Sequence, residues 1–528
     1  MREACVAVVL FILVASLRFL SLTGFPDDHY VHLAGAQQML HGEWPSRDFV
    51  DLGAPLTYAI SAAAQAIFGQ RQLTEALLMA AAFGLGAVLT VRAGVLLTGS
   101  IVLGLLASLI EVLVYPRTYS YPKIVLYAAA SAAVLWYARK PSPQRIVCLA
   151  GLAAFAALVR HDHGLYIGIA SLVAVVLSPL PSDRSKGLRS AALLAAAAVA
   201  FMLPYLIYLQ AVDGIVAHIQ RGMTFTALEV PRQRLTLIGL PTYDAWMLAA
   251  AWLAPVAALV AVAIPIVARR EGAWTTVQRL VPLVVLALIA NAGMIRDRLD
   301  VRLPDAIVPP ALLMAWLVGQ TWKAPLRPLS LAARIVAVAV LLVTMGYAAV
   351  MGSAMEQLDR AGVFSGVERI PERVATLVKE MERPWAGRQV PSATAGEMRP
   401  FFDYAERCIP PDQRLLVAAF LPEVAVLAQR PFAGGQIWFM AGAMTSAADH
   451  ALVISRLASQ RVPVAVFRRP GYDDLARDFP ELDAYIKSRY TEVARWSLGD
   501  DDAVYLMMDS KQATRTDAKT GWPCFGTR

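Results

Sequence analysis

Two carboxylates stand side by side at Asp27 and Asp28, in the string Phe25-Pro-Asp-Asp-His-Tyr-Val-His32. A carboxylate held beside an acceptor hydroxyl or amine is a general base, taking the proton that the acceptor sheds as it attacks an electrophilic carbon. The same string holds a second chemistry. Asp28 and His32 lie one helical turn apart, with His29 between them, so a helix would offer two divalent-metal ligands on one face. A bound ion would turn Asp28 from base into ligand. No tight signature such as His-Glu-x-x-His occurs, so no metal is committed to and no cofactor is required. The plain structural role of the pair is to sit in the first turn of a helix and satisfy its free amides.

Cations form the second group. Arg117 and Lys123 lie in Pro116-Arg-Thr-Tyr-Ser-Tyr-Pro-Lys, Arg160 in Arg-His-Asp-His-Gly, and Arg296, Arg298 and Arg302 in Arg-Asp-Arg-Leu-Asp-Val-Arg; Arg221 stands alone. A guanidinium fork matches two oxygens of a phosphate, so these are candidate contacts to an anionic group. Asp48 in the first loop, and Asp162 and His163 beside Arg160, join His29 and His32 as candidate substrate-binding groups. Structural roles compete here too: an ion pair between Arg160 and Asp162, pairing of Arg296 to Arg302 with Asp297 and Asp300, interfacial anchoring by Tyr119 and Tyr121, and a Glu111 that merely reaches water.

The elements that must position these residues are set by composition. Over 528 residues, 57% are hydrophobic and 17% charged, and the mean hydropathy is +0.52, more than one soluble core requires. About eleven spans are expected, near 4 to 24, 76 to 97, 101 to 116, 124 to 139, 146 to 160, 165 to 181, 191 to 212, 246 to 268, 280 to 295, 307 to 322 and 335 to 353. Basic residues fall in alternate connections: Arg139, Lys140 and Arg145; Arg184, Lys186 and Arg189; Arg269, Arg270 and Arg279; Lys323, Arg327 and Arg334. The positive-inside rule makes those loops cytoplasmic and puts the Asp27 loop and everything after Met351 outside. The formal charge of +8 is spread among short loops, which argues against a nucleic-acid partner. Arg18 within the first apolar run, and the lack of a small-x-small exit, favour an uncleaved first helix over a signal peptide. No repeat is evident, and no Gly-x-x-x-x-Gly-Lys-Ser/Thr string marks a nucleotide site.

From about Glu356 charge and proline rise and no further span follows. The reading is therefore a membrane domain over 1–355 with a first outer loop at 25–75, and a soluble extracytoplasmic α/β domain over 356–528. Glu372 to Glu382 and Ala448 to Ser459 read as helices, and Leu415 to Phe420, Val462 to Phe467 and Ala503 to Met508 as buried strands. Cys5 and Cys148 lie in spans. Cys408 and Cys524 lie in the outer domain, where they are either a disulfide or two free thiols.

The stretch from Asp28 to Tyr58 resembles the first outer loop of the GT-C superfamily of polyprenyl-phosphate-sugar-dependent glycosyltransferases, the branch holding protein O-mannosyltransferases and the lipid A aminoarabinose transferase. Asp28, the Met39-Leu40-His41-Gly42 step, Arg47-Asp48-Phe49 and Pro55-Leu56 occupy the family's places; Asp27-Asp28 stands where the family often has Asp-Glu. The resemblance implies a polytopic α-helical fold of GT-C type in a bacterial-type inner membrane, among membrane lipids. It implies an inverting transfer of a sugar from a polyprenyl phosphate to a lipid, glycan or protein acceptor, with Asp28 or Asp27 as base and the outer arginines on the donor phosphate. Two other classes are weighed: a carrier or flippase of lipid-linked sugars, and an inactive assembly partner. Carriers place ionisable groups in mid-span and often show repeated halves, whereas the polar residues here crowd one face.

Overall fold

The computed structural model describes all residues except 1, 52, 181–182, 230–239, 270–271, 297–298, 324–326, 383–395, 419, 438, 440–445, 470–475, 499–500 and 527–528. The chain is a polytopic α-helical protein with a C-terminal α/β region. Its helices run α1 (Arg2–Leu20), α2 (Asp27–Leu40), α3 (Pro55–Phe68), α4 (Gln72–Thr98), α5 (Ile101–Leu113), α6 (Tyr121–Arg139), α7 (Pro143–Val159), α8 (His161–Leu177), α9 (Arg184–Val212), α10 (Ile215–Glu229), α11 (Thr242–Val267), α12 (Ala273–Ala292), α13 (Leu299–Ala306), α14 (Val308–Lys323), α15 (Pro328–Met351), α16 (Ala354–Arg360) and α17 (Ile370–Met381). Each of the eleven expected spans coincides with a helix. Among the described residues, six are long and apolar enough to cross a membrane: α1, α4, α9, α11, α12 and α15. At 1.5 Å per residue, the 13 residues of α5 reach only about 20 Å, short of a hydrocarbon layer about 30 Å thick.

Two units are built from interleaved segments: Met1–Leu22, Met79–Ile207 and Val230–Ile370 form one, and Thr23–Leu78, Tyr208–Glu229 and Pro371–Arg528 the other. In the first unit, Leu149 and Ala150 of α7 pack with Val134 and Tyr137 of α6, Ala174 and Val175 of α8 and Leu194 of α9. Ser100 and Ser142 cap α5 and α7 by accepting from the backbone N–H of Leu103 and Arg145. α4 and α5 touch through glycine: a Cβ on Gly94 would stand 2.5 Å from the Gly104 Cα, so only glycine permits the approach. The charge in α1 is resolved by aromatics. Arg18 lies between the rings of Phe83 and Tyr115, 3.8 and 3.9 Å from their centroids, and donates to the Pro116 carbonyl at 2.5 Å.

In the second unit, four strands, β1 (Leu415–Val417), β2 (Val464–Arg469), β3 (Thr491–Ser497) and β4 (Ala503–Met508), form a sheet in the order β1-β2-β4-β3. β1 and β2 are parallel, with Leu416 opposite Ala465, and β4 is antiparallel to both neighbours. Phe467 and Tyr505 stack 5.0 Å apart and pack, with Leu416 and Ala465, against Val453 and Leu457 of Ala447–Ser459 and Leu482 and Ile486 of Pro480–Arg489. β5 (Arg515–Thr516) and β6 (Pro523–Cys524) make a separate hairpin. A Cys408–Cys524 disulfide ties it back to the helix Arg399–Cys408. The first loop belongs to this unit. Val50 N–H donates to the Gly435 carbonyl at 2.9 Å, Arg414 pairs with Glu43, and Phe49 meets the Phe432 ring edge-on at 5.8 Å.

Candidate active site

The carboxylate pair is set by how α2 begins. Pro26 occupies the N-cap with extended backbone, so Asp27 and Asp28 fall in the first turn, where the positive end of the helix favours anions. Their environments differ. Asp27 is half-buried, and that burial, then the like charge of Asp28, raises its carboxyl above the ordinary aspartate range, with Arg468 pulling the other way. Asp28 is exposed and has no hydrogen-bond or ion-pair partner among the described residues. Arg468 is itself oriented by Asp502, whose Oδ1 accepts from its Nε at 2.8 Å.

His29 faces inward. It is fully buried, with Nε2 2.9 Å from Glu75 Oε1, and the Ser61 hydroxyl donates to the same oxygen at 3.2 Å. These contacts join the start of α2 to α3 and to the start of α4. His32 is half-buried, its ring 6.3 Å from that of Tyr58. Asp48 closes its own turn, accepting from the Trp44 N–H and the Arg47 Nε, each at 2.8 Å. Burial opposes its ionisation, but those bonds outweigh it and hold the carboxyl below the usual range. Asp51 holds the turn that leads into α3, accepting from the N–H groups of Gly53 and Ala54, both at 2.9 Å.

The second cluster lies within the membrane-helix unit. A cavity of about 330 Å³ is lined by Arg160, Asp162, His163, Tyr127, Arg302 and Asp305, among others. The ends of α7 and α12, the starts of α6 and α8, and α13 supply it. The Arg160 Nε stands 3.0 Å from Asp162 Oδ1, and Lys123 Nζ donates to Asp305 Oδ2 at 2.6 Å, both partners of the latter pair being buried. Tyr127 Oη and His163 Nδ1 lie 2.6 Å apart; the buried Nε2 of His163 and Oδ1 of Asp305 have no hydrogen-bond partner among the described residues. Three cations, Lys123, Arg160 and Arg302, thus meet two carboxylates, Asp162 and Asp305. The excess positive charge in a mostly apolar surround suits one anionic oxygen cluster.

Four expected residues, Lys123, Arg160, Asp162 and His163, are brought together here. Arg117 does not line the cavity; its Nη1 donates to the Tyr119 hydroxyl at 3.3 Å, and the Tyr119 ring lies 5.1 Å from Lys123 Nζ. The side chain of Arg296, and all of Arg298, lie outside the described residues. Tyr127 and Asp305 carried no signal in the sequence beyond their types. Among the described residues, one group of three metal-type ligand atoms lies within 4.8 Å, Cys408, Asp517 and Cys524, and there the two sulfurs are bonded to each other.

No family model and no curated protein matches the chain by sequence. Among solved structures, it is similar to ArnT from Cupriavidus metallidurans bound to undecaprenyl phosphate, with 14% identity over 96% of this chain and 97% of that chain and a TM-score of 0.49. It is similar to the same protein in the apo state, with 15% identity, equal coverage and a TM-score of 0.48.

Proposed function

We propose that the chain is an integral membrane glycosyltransferase of GT-C type, moving one sugar from a polyprenyl-phosphate donor to an acceptor on the outer face of an inner (plasma) membrane. The observation that supports this most is Asp28, an exposed carboxylate without a partner among the described residues, on a helix whose next residue, His29, is fully buried and fixed by Glu75. A general base needs that combination of an open carboxylate on a fixed element. In this reading Asp28 takes the proton of the acceptor while its oxygen or nitrogen bonds to the anomeric carbon. The bond from that carbon to the phosphate oxygen breaks, and the polyprenyl phosphate leaves as an anion. Displacement in one step inverts the anomeric centre. Asp27, its carboxyl raised by burial and by the like charge of Asp28, stands beside the base, and Arg160 and Arg302 are the proposed contacts to the phosphate. The C-terminal region lies outside the membrane in this reading, and no resident metal takes part.

Purified protein in liposomes, given radiolabelled polyprenyl-phosphate sugars, tests the proposal. Asp28→Asn should slow release of polyprenyl phosphate by about 10²- to 10⁴-fold while the protein still folds and inserts. Wild-type release by Asp28→Asn would remove Asp28 from the mechanism; movement of the intact donor across the bilayer without release would replace a transferase by a carrier.

A further inference from the structure

A second cavity, of about 440 Å³, lies within the unit that holds the first loop, between α2, the turn after α3 and the helix Pro422–Leu427. Its floor is apolar, with Leu33, Leu40 and Val426, and its polar groups are amides from Gln37, Gln70 and Gln429. Gln37 is only 9% exposed, yet its side-chain amide has no hydrogen-bond partner among the described residues. That amide is reached by water at the cavity mouth, and a ligand hydroxyl can take the water's place there.

The walls around it are fixed. Gln65 accepts from the Arg71 N–H at 2.8 Å and donates to the Arg71 carbonyl, and Gln72 donates to the Tyr30 hydroxyl at 2.9 Å. Gln429 sits at φ 51°, a left-handed conformation that a non-glycine side chain seldom adopts. The buried Arg430 next to it holds the turn, its Nη1 donating to the carbonyls of Ala428 and Gln429 and its Nε to that of Ile409 at 2.8 Å. The turn therefore places Gln429 at the cavity, where its Nε2 donates to the Gln70 carbonyl at 3.4 Å, at the cost of backbone strain.

Amides both donate and accept, which is what vicinal hydroxyls require, while an apolar floor covers the C–H face of a pyranose ring. No carboxylate lines the cavity among the described residues, which disfavours a metal or an amine; the single exposed Arg71 at its rim disfavours a polyanion. We propose that this cavity is a saccharide site, and that it holds one sugar of a glycan acceptor away from the reacting carbon. The acceptor role rests on the glycosyltransferase reading; the sugar site itself does not.

The test is saturation-transfer NMR on the full chain in nanodiscs with methyl glycosides of glucose, galactose, mannose, N-acetylglucosamine and glucuronic acid. At least one should show saturation transfer, and Gln37→Leu and Gln429→Gly should each weaken its binding about tenfold. Glycine suits the left-handed turn, so Gln429→Gly removes the amide and its bond to the Gln70 carbonyl without straining the backbone. The proposal is overturned if no glycoside is saturated, or if both variants bind as wild type does. Asp28→Asn separates the two readings. Glycoside binding together with undiminished transfer by Asp28→Asn leaves the sugar site standing and removes the transferase mechanism; abolished transfer without glycoside binding does the reverse.

Discussion

The side-chain amide of Gln38 is fastened to the backbone of Phe432, 394 residues away: Oε1 accepts from the Phe432 N–H at 3.1 Å, and Nε2 donates to its carbonyl at 3.3 Å and to Glu43 Oε2 at 2.6 Å. Gln38 is fully buried, so these bonds form away from water. Gln38→Leu keeps most of the side-chain volume but leaves a buried N–H without its partner, a loss of about 1–3 kcal/mol. Thermal unfolding should shift downward and proteolysis within 23–78 should quicken. An unchanged melting temperature would show that the amide carries no net stability.

That link explains a limit on what the sequence reveals. The helix opened by Asp27 and Asp28 is legible because proline, two acids and a closing glycine mark its ends; α2 stops at Leu40, and Gly42 follows at φ 83°. The buried strands near Leu415, Val464 and Ala503 are legible as apolar runs between polar turns. β3 is not, since an edge strand reading Thr-Glu-Val-Ala-Arg-Trp-Ser is mostly exposed and alternates weakly. Partners are hidden for a different reason. The sequence marks Lys123 and His29 as chemistry-bearing, but Asp305 and Glu75 become their partners only through contacts spanning 182 and 46 residues. The assignment of the first loop to one unit with the C-terminal region rests on contacts of the same kind.

Lys123 and Asp305 form a buried pair, with side chains 7% and 8% exposed, so removing either strands the other's charge. Lys123→Met and Asp305→Leu should each cost about 3–5 kcal/mol, whereas the double substitution should recover most of that loss. Melting of the four proteins in detergent gives the coupling. Additive losses would mean that the pair interacts with other groups more strongly than with itself.

Metal removal separates the two chemistries written into Asp28 and His32. With Asp28 as a proton acceptor, prolonged dialysis against EDTA should leave the release of polyprenyl phosphate unchanged, and His32→Gln should leave that insensitivity to EDTA in place. Activity lost to EDTA and restored by one divalent ion would make Asp28 a ligand, and its substitution would then abolish ion binding together with turnover.

Asp517 sets an acid limit on the C-terminal hairpin. Burial disfavours its charge, but Arg407 Nη2 at 3.0 Å and the Thr520 hydroxyl at 2.9 Å outweigh that, and the carboxyl titrates below the ordinary aspartate range. A depressed carboxyl contributes stability that is present above its unfolded value, near 3.9, and is lost as pH falls through the lower folded value. Asp517→Asn should therefore be the less stable protein at neutral pH, and the gap should close on acidification below about pH 4. Trp522, whose ring lies 5.2 Å from Tyr404 beside this hairpin, reports the transition by fluorescence. Other carboxylates of the same unit titrate in that range too, so the informative quantity is the difference between wild type and variant at each pH. A gap that stayed constant down to pH 2 would mean that the Arg407 and Thr520 contacts do not depend on the charge of Asp517.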